Sequence, residues 1–487
     1  MRIWFGTKLL MRRGAQHIRH RRYEAASANY RKVTEREPEN AQAFCLAGFC
    51  FVELGRYQEA VAMLDRALQI RPGYSDAHAQ LSRALDHLGE IGAALEYAER
   101  AARNDPRRND LKRVARWHGR IGYLLSKRGD WMSAAEHLRL ASRETRDAIT
   151  YDNLALALWH VGDKAGSLDA YRTAVSSNPA DADVHFGLGW ALYNLGRYEE
   201  ATDPFRRAIQ LDPTHADAYY HLGLVLEATG QPEEGLDALR RAATLRPNHP
   251  ETHYSIGATL RGKGDIEDAI AAYRQAICLR PGYGDAYLDL GVAYSELGRS
   301  EEEIAAYTAA IRIDGRDPLA WGNLALAYSG KQMHQEALEA YERLCELQPE
   351  NEMAYYGVAT SLSFLERYEE SVPNYQRAIE LDPAFITAHE YLGYAYSLMD
   401  RFPEALDCFK RAMDLAPGSA LLHAELAEIY ERMGDTDRAR RLRSSAEEFE
   451  LNGPDPAISN AKKPIFKESA RNSPGTQSQP RKSEETS

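Results

Sequence analysis

Cysteine is scarce in this chain: five in 487 residues, an odd number scattered along the sequence. A disulfide framework is excluded on that count, and a reducing, cytoplasmic setting is expected. Long apolar runs are also missing; nothing approaches the ~20 residues needed to span a bilayer. The stretch from Met1 to Met11 is interrupted by Lys8 and closed by Arg12 and Arg13, so it reads as the amphipathic start of a helix rather than a secretory signal. Several catalytic patterns are lacking: the GxxxxGK(S/T) phosphate loop, the HExxH zinc helix, the GxSxG elbow and the CxxC pair. Phenylalanine is sparse, 12 against 28 tyrosines, as is proline, 21 against 34 glycines. What is present is ordinary for a folded protein, with 44% hydrophobic and 27% charged residues, which excludes disorder along the whole length.

The tyrosine excess and the glycine count follow from an internal repeat. Residues 182–215 and 216–249 align without gaps at a period of 34, and the register extends to thirteen units over 7–453. Its breaks are an insertion at 109–114 and a one-residue deletion at the end of the fourth unit. Position 8 of every unit is Gly, Ala or Ser, among them Gly48, Ser82, Ala155, Gly189 and Gly291. Position 27 is Ala in eleven units and position 32 is Pro in ten. Apolar residues at 4, 7 and 11 share one face of a first helix, and those at 20, 24 and 27 share one face of a second. Gly at 15 supplies the turn between them and Pro at 32 ends the second helix. One such pair cannot bury its own apolar face, so successive pairs must stack.

This pattern resembles the tetratricopeptide repeat family, whose signature the segments Trp321–Tyr328 and Tyr287–Tyr294 follow closely. The resemblance implies an all-α solenoid, a right-handed superhelix of about thirteen helix-turn-helix repeats with first helices lining its concave face. The chain divides into a lead (1–6), repeats 1–3 (7–108), the insertion (109–114), repeats 4–13 (115–453) and a polar tail (454–487) whose composition predicts disorder.

Some positions depart from the pattern. Glu303 stands at position 20, where other units carry Ala, Ser or Gly, and is expected to loosen the packing around it. Pro204 and Pro373 fall inside second helices and should kink them or delay their start. Histidine recurs at position 4, as His78, His118, His185, His253, His389 and His423. These rungs are too far apart to share an ion, so imidazole is expected to replace an aromatic ring at a partly buried joint. Charge is uneven as well: the net value of −12 combines +6 over residues 1–40, −4 over 41–99, +7 over 100–147, −23 over 148–453 and +2 over the tail.

Positions 5, 9 and 12 share a helix face distinct from the packing face. In the middle repeats they carry Trp159, Phe186, Trp190, Tyr193, Tyr220 and Tyr254, candidate anchors for a peptide or extended protein segment. Position 2 gives Asp183, Asp217, Glu251 and Asp285, either first-turn acids favoured by the helix dipole or an acidic rim beside the aromatic strip. The expected function is a non-enzymatic scaffold that binds protein partners, with no cofactor and no metal. An adaptor or regulatory subunit of an enzyme complex is an alternative. Nucleic-acid binding by the basic N-terminal third, through Arg107, Arg108, Lys112, Arg113, Arg116 and Arg120, is a further one that lacks interleaved aromatics. Partner identity and oligomeric state do not follow from these residues.

Overall fold

The computed structural model describes residues 2–107 and 109–452, which form twenty-six α-helices and no strand. Numbered α1 to α26 in chain order, they alternate as first and second helices, each first helix packed against the second helix that follows it. The chain forms two compact units, one through Leu245 with seven helix pairs and one from Arg246 with six. The tail 454–487 lies outside the described residues. α1 (Arg2–Arg19) begins within the segment set apart as a lead, and α7 (Leu111–Arg128) takes Leu111–Val114 of the insertion into its first turn. Asp110 starts α7 by accepting hydrogen bonds from the Lys112 and Arg113 amides.

Close approach of the paired helices has one repeated cause. Wherever position 8 is glycine, the position-24 side chain of the second helix lies over it. A methyl group added at Gly48 would stand 2.5 Å from Leu64, and one at Gly257 would stand 2.7 Å from Tyr273. Two of the four units with Ala at position 8 solve the problem differently. Tyr171, paired with Ala155, lies over Gly187, and Tyr341, paired with Ala325, lies over Gly357. Both glycines stand at position 6 of the next repeat, so the ring displaced by a methyl group is accommodated one helix further on. The seams are dry: Tyr171, Tyr273, Phe205 and Phe409 are fully buried.

All thirteen turns at position 15 adopt a left-handed backbone. Nine use glycine, such as Gly196 at φ +71° and Gly264 at +87°. The other four force Arg21, Gln332, Glu366 and Asp400 into φ between +53° and +61°, a conformation that costs about 1 kcal/mol or more for a residue with a Cβ.

In four of its six units histidine at position 4 does more than replace a ring, whereas His118 contacts His137 and His423 bonds the Ser419 carbonyl. The Nε2–H of His78, His185, His253 and His389 donates to the carbonyl of Pro72, Pro179, Pro247 and Pro383, at 2.8–3.2 Å. Trp321 uses its indole N–H in the same way on Gly315. Each bond ties a first helix to the turn preceding it and requires the neutral Nε2–H tautomer or the cation. Burial lowers the His78 and His389 pKa values, favouring neutral imidazole.

Neither proline delays its helix. α12 (Tyr198–Leu211) and α22 (Tyr368–Leu381) start at Tyr, as α4 (Tyr57–Ile70) does, and run through Pro204 and Pro373. Glu303 is 8% exposed in an unbroken α18 (Ser300–Ile313), and burial raises its pKa against a hydrogen bond from Ser295.

Candidate functional site on the first-helix face

In the first unit the first helices α9 (Ala148–Val161), α11 (Ala182–Asn194) and α13 (Ala216–Ala228) touch in succession, α9 on α11 and α11 on α13. Their position-5, -9 and -12 side chains therefore meet across helix boundaries. The Trp159 and Trp190 ring centroids are 5.0 Å apart, and Phe186 lies 5.9 Å from Phe205 and 5.7 Å from His221. Tyr193 contacts Tyr198 and His221, and Tyr220 stands edge-on to His221.

These six residues do not share one exposure. Phe186, Trp190 and Tyr220 are buried, at 4, 8 and 7% exposed, whereas Trp159 and Tyr193 are half-buried. The six candidate anchors therefore differ in how much ring they present to a partner. Phe186 packs against Phe205 and His221, Trp190 against Trp159 and Tyr220 against His221, where a ring gains more by packing than by facing water. They form a floor from which Trp159 and Tyr193 rise. Tyr254 belongs to the second unit, on α15 (Pro250–Lys263), where its hydroxyl donates to Asp289 Oδ2 at 2.6 Å.

A cation completes the first-unit strip. Lys164 Nζ lies 3.5 Å from the centroid of a Trp159 ring and donates to the Trp159 carbonyl at 2.9 Å. Burial lowers its pKa. Beside it, His160 stacks on Trp131 at 3.9 Å. Lys164 and Trp131 escaped the sequence reading because both stand on second helices. The signal available was their place at the turn next to position 12.

The four position-2 acids sit in the first turns of their helices, consistent with dipole stabilisation. Asp183 and Asp217 belong to the first unit, Glu251 and Asp285 to the second. Asp183 Oδ1 is 3.6 Å from His215 Nε2. Glu251 is 3.2 Å from His249 Nε2 and pairs with Arg280. Burial works to raise the Glu251 pKa, but the Arg280 hydrogen bond and the His249 charge outweigh it and hold the carboxyl below the usual range.

The second unit carries a different chemistry at the equivalent face. Tyr356 of α21 (Glu352–Phe364) contacts Tyr391 of α23 (Ile386–Leu398), which contacts Tyr394 of the same helix, and α25 (Ala420–Arg432) follows. Glu390 and Glu425 stand among them, and Glu425 Oε2 is out of contact with water and makes no hydrogen bond. Burial, with the charges of Glu390 and Glu428, pushes the Glu425 pKa up to about 8.

The basic patch on α7 is partly neutralised from within. Arg113 pairs with the buried Asp105, and Arg120 and Lys127 both pair with Asp86, at 3.0 and 2.5 Å. Arg108 lies outside the described residues. Burial pushes the thiols of Cys45, Cys50, Cys345 and Cys408 up to about 12, which suits packing rather than nucleophilic work. No group of three or more His, Cys, Asp or Glu able to hold a metal stands together among the described residues. None of their helices is long and apolar enough to cross a membrane.

Tetratricopeptide repeat models match residues 12–75, 51–117, 153–216, 214–280, 254–318, 318–351 and 386–419, and a further TPR repeat model matches 365–400. The chain belongs to the tetratricopeptide repeat family. Among curated proteins it is similar to the E3 ubiquitin-protein ligase TTC3 of Rattus norvegicus and of Mus musculus, at 28% identity over 102 residues. That match spans 20% of this chain and only 5% of the length of those relatives. Among solved structures it is similar to YrrB, described as a TPR protein with an unusual peptide-binding site, at 30% identity over 38% of this chain and 96% of that one, with a TM-score of 0.35. It is also similar to MamA, at 26% identity over 33% of this chain and 95% of that one, with a TM-score of 0.32.

Proposed function

We propose that the chain is a non-enzymatic scaffold that binds an extended segment of a protein partner along the first-helix face of α9, α11 and α13. The observation that carries this reading is the continuous aromatic strip across three successive repeats, with Trp159 half-exposed under the Lys164 ammonium. A packed floor of Phe186, Trp190 and Tyr220 holds that ring and Tyr193 in place, so little side-chain entropy remains to be lost on binding. Aromatic surface held in this way is the usual source of hot-spot energy at protein interfaces. Asp183 and Asp217, in the first turns of α11 and α13, add negative charge along one side, which favours a segment with basic residues.

The test is affinity purification from the native cell, wild type against Trp159→Ala, with far-UV circular dichroism and thermal melting to show that the variant stays folded. Loss of the specific partner from a folded Trp159→Ala protein is the expected result. An unchanged partner set would remove the strip from the binding site.

A further inference from the structure

At position 16 the arginine of the first repeat is managed differently from those of five later repeats. Arg56, Arg197, Arg299, Arg367 and Arg401, all at position 16, pair with the glutamate three residues on, at 2.5–2.7 Å. The equivalent residue of the first repeat is Arg22, and the residue three positions on is Ala25. α1 holds no acidic residue at all. Leu9, Arg12, Arg13, Gln16, Arg19 and His20 are exposed along a single ridge, while Thr7 and Gly14 are buried on the opposite side, Gly14 under Tyr30. Among the described residues the side chains of Arg12, Arg13, Arg19, Arg21 and Arg22 form no ion pair, unlike Arg113, Arg120 and Lys127 of α7.

Uncompensated charge of this kind fits an external polyanion, and the ridge favours one type. Leu9 is 50% exposed one turn before Arg12 and Arg13, so apolar and cationic groups share a helix face. Such a face lies flat in a lipid–water interface, with arginine on phosphate and leucine at the acyl boundary. A nucleic-acid backbone would use the charge but not the leucine.

We propose that the outer face of α1, together with Arg21 and Arg22 of the following turn, docks on a bilayer surface that carries anionic lipid. The attachment is peripheral and reversible, and it leaves the α9–α13 strip free for its partner.

The experiment is flotation of the full-length protein with phosphatidylcholine vesicles, with and without phosphatidylserine. Flotation only with phosphatidylserine, weakened by salt, is expected. Each arginine near an anionic surface adds about fivefold to the affinity, so Arg12→Glu with Arg13→Glu should reduce binding tenfold or more. Leu9→Asn, at an exposed position that leaves the fold intact, should reduce it several-fold. Equal flotation with both vesicle types, or none with either, overturns the proposal. So does binding to duplex DNA or RNA that excludes vesicles and is unaffected by Leu9→Asn, which would make the ridge a nucleic-acid surface.

Discussion

The first-helix face of α9–α13 and that of α21–α25 share one geometry and differ in what they bury. In the first, rings close the joints between repeats, and a lysine lies over an indole. In the second, tyrosines share the joints with Glu390 and Glu425, whose charges repel. The turns differ in the same sense. Gly162, Gly196 and Gly230 serve the first stretch, whereas Glu366 and Asp400 hold a left-handed backbone in the second. The comparison teaches that the repeat specifies where side chains stand but not how well they are satisfied. The α9–α13 stretch leaves neutral groups such as Asn153 Oδ1 and His160 Nε2 buried without a hydrogen bond, whereas the α21–α25 stretch leaves a carboxyl oxygen of Glu425 so.

The largest difference should appear on truncating rings. Trp190→Ala, at 8% exposure between two repeats, is expected to lose about 3–4 kcal/mol, and the half-buried Tyr394→Ala about half as much. Urea unfolding of each unit's transition measures both, and equal losses would erase the contrast in packing. Next come the paired glycines. Gly187→Ala and Gly357→Ala place a methyl group 2.5 Å from Tyr171 and Tyr341, so both should cost about 2 kcal/mol. Unequal costs would show that the two seams are not built alike.

Glu425 gives a pH signature confined to the second stretch. Its folded pKa, about 8, lies above the unfolded value near 4.5, so the folded state holds more protons between those limits and stability falls as pH rises through that window. Glu425→Gln should flatten that slope and stabilise the protein at pH 9 by about 1–2 kcal/mol, with little effect at pH 4. A slope unchanged in the variant would assign the effect to other groups. The smallest effect is in the turns: Glu366→Gly and Asp400→Gly should each add about 0.5–1 kcal/mol, read as a rise in thermal midpoint.

Much of this was legible in the residues. The small residues at 8, the alanines at 27 and the prolines at 32 dictate two helices per 34 residues, because other spacings would leave apolar faces uncovered. What a single unit could not show is which neighbour covers each face. Position 5 looks free on a helical wheel, yet Phe186 is closed in by Phe205 and His221, one on the second helix and one in the next repeat. The exchange of Gly189 over Phe205 for Ala155 with Gly187 over Tyr171 likewise spans two repeats. The N–H bond of the position-4 histidines reaches back to a preceding turn. In each case the information lies between units rather than within one.

Site-specific photo-crosslinking tests the central claim, that partners bind the α9–α13 strip, most directly. A benzophenone side chain placed at Trp159, and in a second protein at Leu140, a 40% exposed position on the second helix α8 (Trp131–Ser142), is activated in the native cell. The account predicts a discrete adduct with a protein partner from position 159 and none from position 140. The same adducts from both positions, or adducts from position 140 alone, would contradict it.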